Sequence, residues 1–166
     1  MSMKVCSSIR EVPEGFFLAD CAVSGGTMTD YIRYLMDASG GKLCVVLESV
    51  YMDFQLPCPG GRGDPVSPEE LGKLRQDLPC YYSEDLCTNY FTFCRDREPH
   101  AVLFDSLQSL RKKYAALEQG GVPMVLIEDP ELRQNIPPGA VPDYIQEIKS
   151  TPPYGGVPKT HNERNQ

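Results

Sequence analysis

Four acids in this chain stand where chemistry could be done. Asp20, Glu48, Asp105 and Glu128 each close a short apolar run: Phe16-Phe17-Leu18-Ala19-Asp20, Val45-Val46-Leu47-Glu48, Val102-Leu103-Phe104-Asp105 and Val125-Leu126-Ile127-Glu128. Carboxylates held within about 5 to 10 Å raise one another's proton affinity and can act as an acid/base pair on a glycosidic bond. Asp and Glu oxygens with no adjacent histidine also suit a hard cation such as Mg²⁺, which would carry a phosphorylated ligand. Each acid has a purely structural explanation beside these. Asp105 can cap a helix, Asp20 precedes a turn, and Glu128-Asp129 before Pro130 can mark a strand exit. Ser24-Gly25-Gly26-Thr27 hints at backbone amides for an anion, without the Lys of a phosphate loop or a dinucleotide spacing.

Runs of this length, followed by turn or helix-start residues, are the pattern of parallel strands covered on both faces, and in α/β folds the carboxyl ends of such strands form the functional rim. The expected architecture is therefore one α/β domain over residues 1–150 with about four parallel strands, and a flexible C-terminal tail over 151–166. The clearest helix follows Asp105. Asp105 or Ser106 can cap it, with Gln108 completing a capping box from Asp105, Leu107, Leu110, Tyr114 and Leu117 forming its apolar stripe, and Gly120 ending it. Thr27 and Asp30 open a second helix with Met28, Tyr31, Ile32, Leu35 and Met36 on one face, then Gly40-Gly41 and a strand to Glu48.

These two units align without a gap at an offset of 80 residues: Tyr34 with Tyr114, Gly40-Gly41 with Gly120-Gly121, Val45 with Val125, and Glu48 with Glu128. Internal duplication and convergence under common packing rules both account for it. Between the units, residues 57–65 are rich in Pro and Gly and read as an exposed loop whose Arg62-Gly63-Asp64 is a chance tripeptide; Ser67-Pro68 opens a short helix, and Tyr81 to Phe93 favours an antiparallel excursion. Its aromatics serve as core or as a wall for a sugar ring. Near the end, Tyr144 to Ile148 can form one helical turn.

The whole-chain numbers narrow the class. A net charge of −7 over 166 residues argues against a nucleic-acid partner, which needs clustered Lys and Arg. No run approaches the roughly 18 apolar residues that span a bilayer, and the first residues lack a signal-peptide core, so a cytoplasmic protein is expected. The seven cysteines are odd in number and read as reduced, with Cys6, Cys21 and Cys44 as small hydrophobes. Cys58, Cys80, Cys87 and Cys94, with His100, could supply zinc ligands, but no close C-x2-C pair is present and independent packing is favoured. A Cys–His dyad would have to use His100, since His161 lies in the tail.

A family resemblance sharpens the expectation. Residues 41–57, with Gly41-Lys42-Leu43-Cys44-Val45-Val46-Leu47-Glu48-Ser49-Val50-Tyr51, resemble the late barrel strand K-L-V-L-G-(I/L)-P-x-Y-G-x-x-F of family 18 glycoside hydrolases, the chitinase-like proteins. His100 to Asp129 is similar to that family's closing strand, helix and strand, and an antiparallel insertion precedes that unit in both. The resemblance implies a partial, half TIM-barrel-like fold or an open parallel sheet, with a carbohydrate-type small-molecule ligand at the strand ends. Of the family's binding-residue types only Tyr51 carries over; the acidic rim and the 80-residue offset make Glu48 and Glu128 the candidate catalytic acids, with Asp20, Asp105 and Asp129 as further ligand contacts. Two departures count against the family's own chemistry: the acid strand D-x-x-D-x-D-x-E is absent, and Leu126 stands where the family places an indole, in a chain with no Trp. No cofactor is implied, with Mg²⁺ the alternative for a phosphohydrolase-like enzyme. A non-catalytic interaction or assembly module, pairing its raw sheet edges with another copy as a homo-oligomer, is the remaining reading.

Overall fold

A computed structural model describes residues 2–137. In chain order the elements are β1 (Lys4–Cys6), a 3-10 turn (Ile9–Glu11), β2 (Phe17–Asp20), α1 (Met28–Ala38), β3 (Leu43–Val46), β4 (Tyr51–Gln55), β5 (Asp64–Pro65), α2 (Pro68–Leu74), β6 (Tyr81–Ser83), β7 (Thr88–Arg95), β8 (Glu98–Phe104), α3 (Leu107–Gln119), β9 (Met124–Leu126) and α4 (Pro130–Asn135). The tail from 151 and the helical turn at Tyr144–Ile148 lie outside the described residues.

Two sheets form. β1, β9, β3 and β2, in that order, make a four-stranded parallel sheet; β5, β4, β8, β7 and β6 make a five-stranded antiparallel one. In the first, Cys44, Val45 and Val46 pair with Met124, Val125 and Leu126. The 80-residue offset is therefore the register of β3 against β9: along these two strands, residues that align in sequence are neighbours in space.

The run ending in Asp105 behaves differently from the other three. Val102, Leu103 and Phe104 belong to β8, which is antiparallel to both β4 and β7. A short apolar run signals cover on both faces but not the direction of its neighbours, which explains the mistaken assignment. The fourth parallel strand is Lys4–Cys6, too short and too mixed to show a pattern. The antiparallel excursion is correspondingly wider than expected, reaching from Tyr51 to Phe104.

Alternation along the parallel strands separates two faces. Leu43, Val45, Leu47, Val125 and Ile127 pack with Ile32 and Leu35 of α1 and Leu110, Tyr114 and Leu117 of α3 in the main core. On the other face Cys6, Cys44 and Leu126 are covered by Val12 and Phe16. Those two residues lie on the link between β1 and β2, which are opposite edges of the sheet. The helices carry the chain from β2 to β3 to β9 in one direction over one face. A link travelling back the other way keeps the favoured right hand only by crossing the opposite face, which is where Val12 and Phe16 pack. The result is an open parallel sheet covered on both sides, with β1 and β2 as unpaired edges among the described residues.

Local signals set the element ends. The Thr27 side chain accepts the Asp30 N–H, and Ser67 accepts that of Glu70 with Pro68 following it. At α3 the cap is Ser106 and its partner Ser109, so Gln108 has no part in the box. Gly120 ends α3 at an ordinary helical φ of −74°, and Gly121, at +74°, makes the left-handed turn. What Gly120 supplies is proximity, because a β-carbon there would stand 2.5 Å from Ile32 Cγ2. Gly120→Ala is expected to force α1 and α3 apart and to destabilise the protein by about 1–3 kcal/mol in urea unfolding; an unchanged midpoint and slope would show that the contact yields freely.

Candidate functional site

The carboxyl ends of the parallel strands gather three of the predicted acids. Asp20 ends β2, while Glu48 and Glu128 each lie two residues beyond β3 and β9. The ladder continues one step past the strands: the Leu47 N–H donates to Leu126 O at 2.9 Å and the Ile127 N–H to Cys6 O at 3.0 Å. Leu47 and Ile127 are buried on the helix side. Alternation then directs Glu48 and Glu128 toward the opposite face, at equivalent positions on adjacent strands. Both are exposed, and neither carboxylate has a hydrogen-bond or ion-pair partner among the described residues. Arg133 of α4 braces this edge through its Nη1, which donates to the backbone oxygens of Ile127 at 3.0 Å and Glu128 at 3.3 Å.

The other candidates have structural partners. Asp20 Oδ1 accepts the Ala22 N–H at 3.2 Å, and the Tyr31 hydroxyl donates to the Asp20 backbone oxygen at 3.1 Å and to its Oδ1 at 3.4 Å. Burial first, and the Asp20 charge second, push the Tyr31 phenol up to about 12. Asp129 caps α4, its Oδ1 accepting the N–H groups of Glu131 and Leu132 at 2.8 and 3.2 Å. Tyr51 is half-buried against the second core, formed around Phe91, Val102 and Phe104.

Asp105 lies inside the protein, because β8 runs antiparallel and delivers it to the base of α3. Its side chain has no exposure, and its Oδ2 lies 2.7 Å from Lys113 Nζ. Oδ2 also accepts the Val50 N–H at 3.1 Å, and Oδ1 accepts from the hydroxyls of Ser109 at 2.7 Å and Thr88 at 3.3 Å. Lys113 is the residue that sequence reading missed. In Lys112-Lys113 it looks like half of a solvated pair, yet Asp105, Ser109 and Lys113 recur every four residues, the spacing that stacks side chains on one helical face.

A second overlooked pair sits on the antiparallel sheet. His100 Nδ1 is 2.8 Å from Asp53 Oδ1, and the imidazole stacks on Phe93 with centroids 4.9 Å apart. Register alone brings them together, since Gln55 faces His100 and places Asp53 on the diagonal. The seven cysteines are free thiols. Burial raises Cys21 to about 12 and Cys44 to about 11. Among the described residues no three His, Cys, Asp or Glu side chains gather into a group able to hold a metal ion, and no helix is long and apolar enough to cross a membrane.

Neither a protein-family model nor a curated protein matches the sequence. Solved structures do. A chitinase from Chromobacterium violaceum ATCC 12472 is similar over 74% of this chain and 44% of its own, at 15% identity and a TM-score of 0.51. The likeness is one of fold. The spore cortex-lytic enzyme SleL from Bacillus megaterium QM B1551 overlaps 68% of this chain and 30% of its own, at 17% identity and a TM-score of 0.48. The chain thus spans less than half the length of either protein.

The Tyr31–Asp20 contact gives the rim a pH signature. With its phenol raised above the unfolded value, the folded chain keeps a proton that the unfolded chain releases, so the contribution is intact below about pH 10 and is lost as pH rises toward 12. Urea midpoints measured from pH 9 to 12 should fall more steeply for the native chain than for Tyr31→Phe; parallel curves would show that this phenol is not coupled to folding.

Proposed function

We propose that the chain binds a carbohydrate-type ligand at the carboxyl ends of its parallel strands, with Glu48 and Glu128 as the paired acids that engage sugar hydroxyls. The observation that carries this reading is the register of β3 against β9, which sets the two glutamates at equivalent steps beyond neighbouring strands, exposed and without protein partners among the described residues. Adjacent strands run about 4.8 Å apart. The chitinase-like fold supports the choice of ligand class.

Binding is the part of this reading best supported. The D-x-x-D-x-D-x-E strand is missing from the sequence. Both glutamates are exposed, whereas the general acid of a glycosidase is typically set in a buried, apolar pocket. A glycan contact needs neither, since two neighbouring carboxylates can accept hydrogen bonds from the hydroxyls of a diol. Asp20 and Asp129 shape the loops on either side of the pair, and Asp105 sets the backbone at Val50, two residues after Glu48.

Titration of the native chain with tetra-N-acetylchitotetraose, followed by amide NMR, is expected to shift resonances of residues 47–50 and 127–129 saturably. The double variant Glu48→Gln, Glu128→Gln should bind about 10- to 100-fold more weakly with the rest of the spectrum unchanged. Equal affinity in the two proteins, or shifts confined to other parts of the native chain, would contradict the proposal.

A further inference from the structure

Beside the rim, where the two sheets meet, lies a small cleft of about 80 Å³ with its mouth open to solvent, less than a drug-sized site and suited to a compact molecule that projects from it. One wall is the loop after β2, with Val23 and Ser24. The facing wall is the outer face of the antiparallel sheet, with Met52, Phe54 and Leu103. Ala22, Val50, Gly61, Thr88 and Lys113 complete the lining, so the glutamates of the proposed glycan site are not part of it.

Lys113 gives this cleft its character. It is 2% exposed, and among the described residues its ammonium has one hydrogen-bond acceptor, Asp105 Oδ2. An ammonium carries three N–H donors. The Asp105 carboxylate cannot absorb the other two, because it already accepts from Val50 N, Ser109 Oγ and Thr88 Oγ1 as well. A buried donor without an acceptor is costly, so the cleft favours an occupant that presents an oxygen lone pair to Lys113. The ion pair is neutral overall and the remaining lining is largely apolar, which favours an uncharged molecule over an anion.

We propose that this cleft is a second binding site, for a small neutral molecule whose carbonyl oxygen accepts from Lys113 while its apolar body rests on Met52, Phe54 and Leu103. The carbonyl class follows from the unequal walls: donors on the Lys113 side and hydrocarbon opposite. Leu103 is half-buried on the cleft side of β8, so a larger side chain there fills the space without entering the core behind it.

The test uses benzamide as probe on the full chain, with benzylamine and benzoate as the cationic and anionic counterparts of like shape. Benzamide should shift the amides of Val50, Gly61 and Thr88 saturably, benzylamine should not, and benzoate should bind more weakly than benzamide. Leu103→Trp should weaken benzamide binding by about tenfold or more, and Met52→Trp, on the neighbouring strand, should do the same should the first variant lose its dispersed spectrum. Equal shifts with all three probes, tighter binding of benzoate, no shift at these amides, or undiminished binding in a folded tryptophan variant would overturn the proposal.

Discussion

Buried among β7, β8 and α3, the Asp105 carboxylate meets Lys113, Ser109, Thr88 and the Val50 backbone. These partners come from three different stretches of chain. Val50 joins the parallel strand β3 to the antiparallel strand β4, Thr88 begins β7, and Ser109 and Lys113 belong to the helix that leads to β9. A carboxylate and an ammonium removed from water this completely carry a large desolvation penalty, offset by their mutual attraction and by the three further hydrogen bonds that the carboxylate accepts. Making those bonds requires all of these segments to be in place together. The ion pair is weak evidence for stability in the abstract, but it is a specific joint between the two sheets.

The rest of the arrangement follows from where that joint sits. With the antiparallel sheet fixed at the end of β3, α3 is set to return the chain so that β9 lies beside β3 in the 80-residue register. The register puts Glu48 and Glu128 side by side. The same geometry leaves a cleft between the sheets, into whose lining Lys113 is drawn by its partner. On the far face of the parallel sheet, the link bearing Val12 and Phe16 occupies the side that the interior of a closed barrel would need. The likeness to a chitinase is therefore to a segment of a fold, rebuilt as an open sheet.

Much of this was legible in the residues. The strands ending at Asp20, Glu48 and Glu128, the caps at Thr27 and Ser67, and the antiparallel character of Tyr81 to Phe93 are local signals, and local signals survive into the structure. The 80-residue offset carried long-range information as well. What could not be read was pairing direction. Val102 to Phe104 has the same pattern as a parallel strand, and only its neighbours β4 and β7 make it antiparallel. Asp105 was misplaced for that reason, and the contact of Asp53 with His100 was invisible because it depends on strand register. Lys113 was concealed by composition, since a lysine is seldom fully buried unless it is paired.

The most direct test of this account is a double-mutant cycle on unfolding free energy between Asp105→Asn and Lys113→Met. If the pair is the joint between the sheets, each single change should destabilise strongly and the double variant by less than their sum, with a coupling of about 1–3 kcal/mol. Additive effects, with a coupling near zero, would contradict it and return Asp105 to the set of acids available for chemistry.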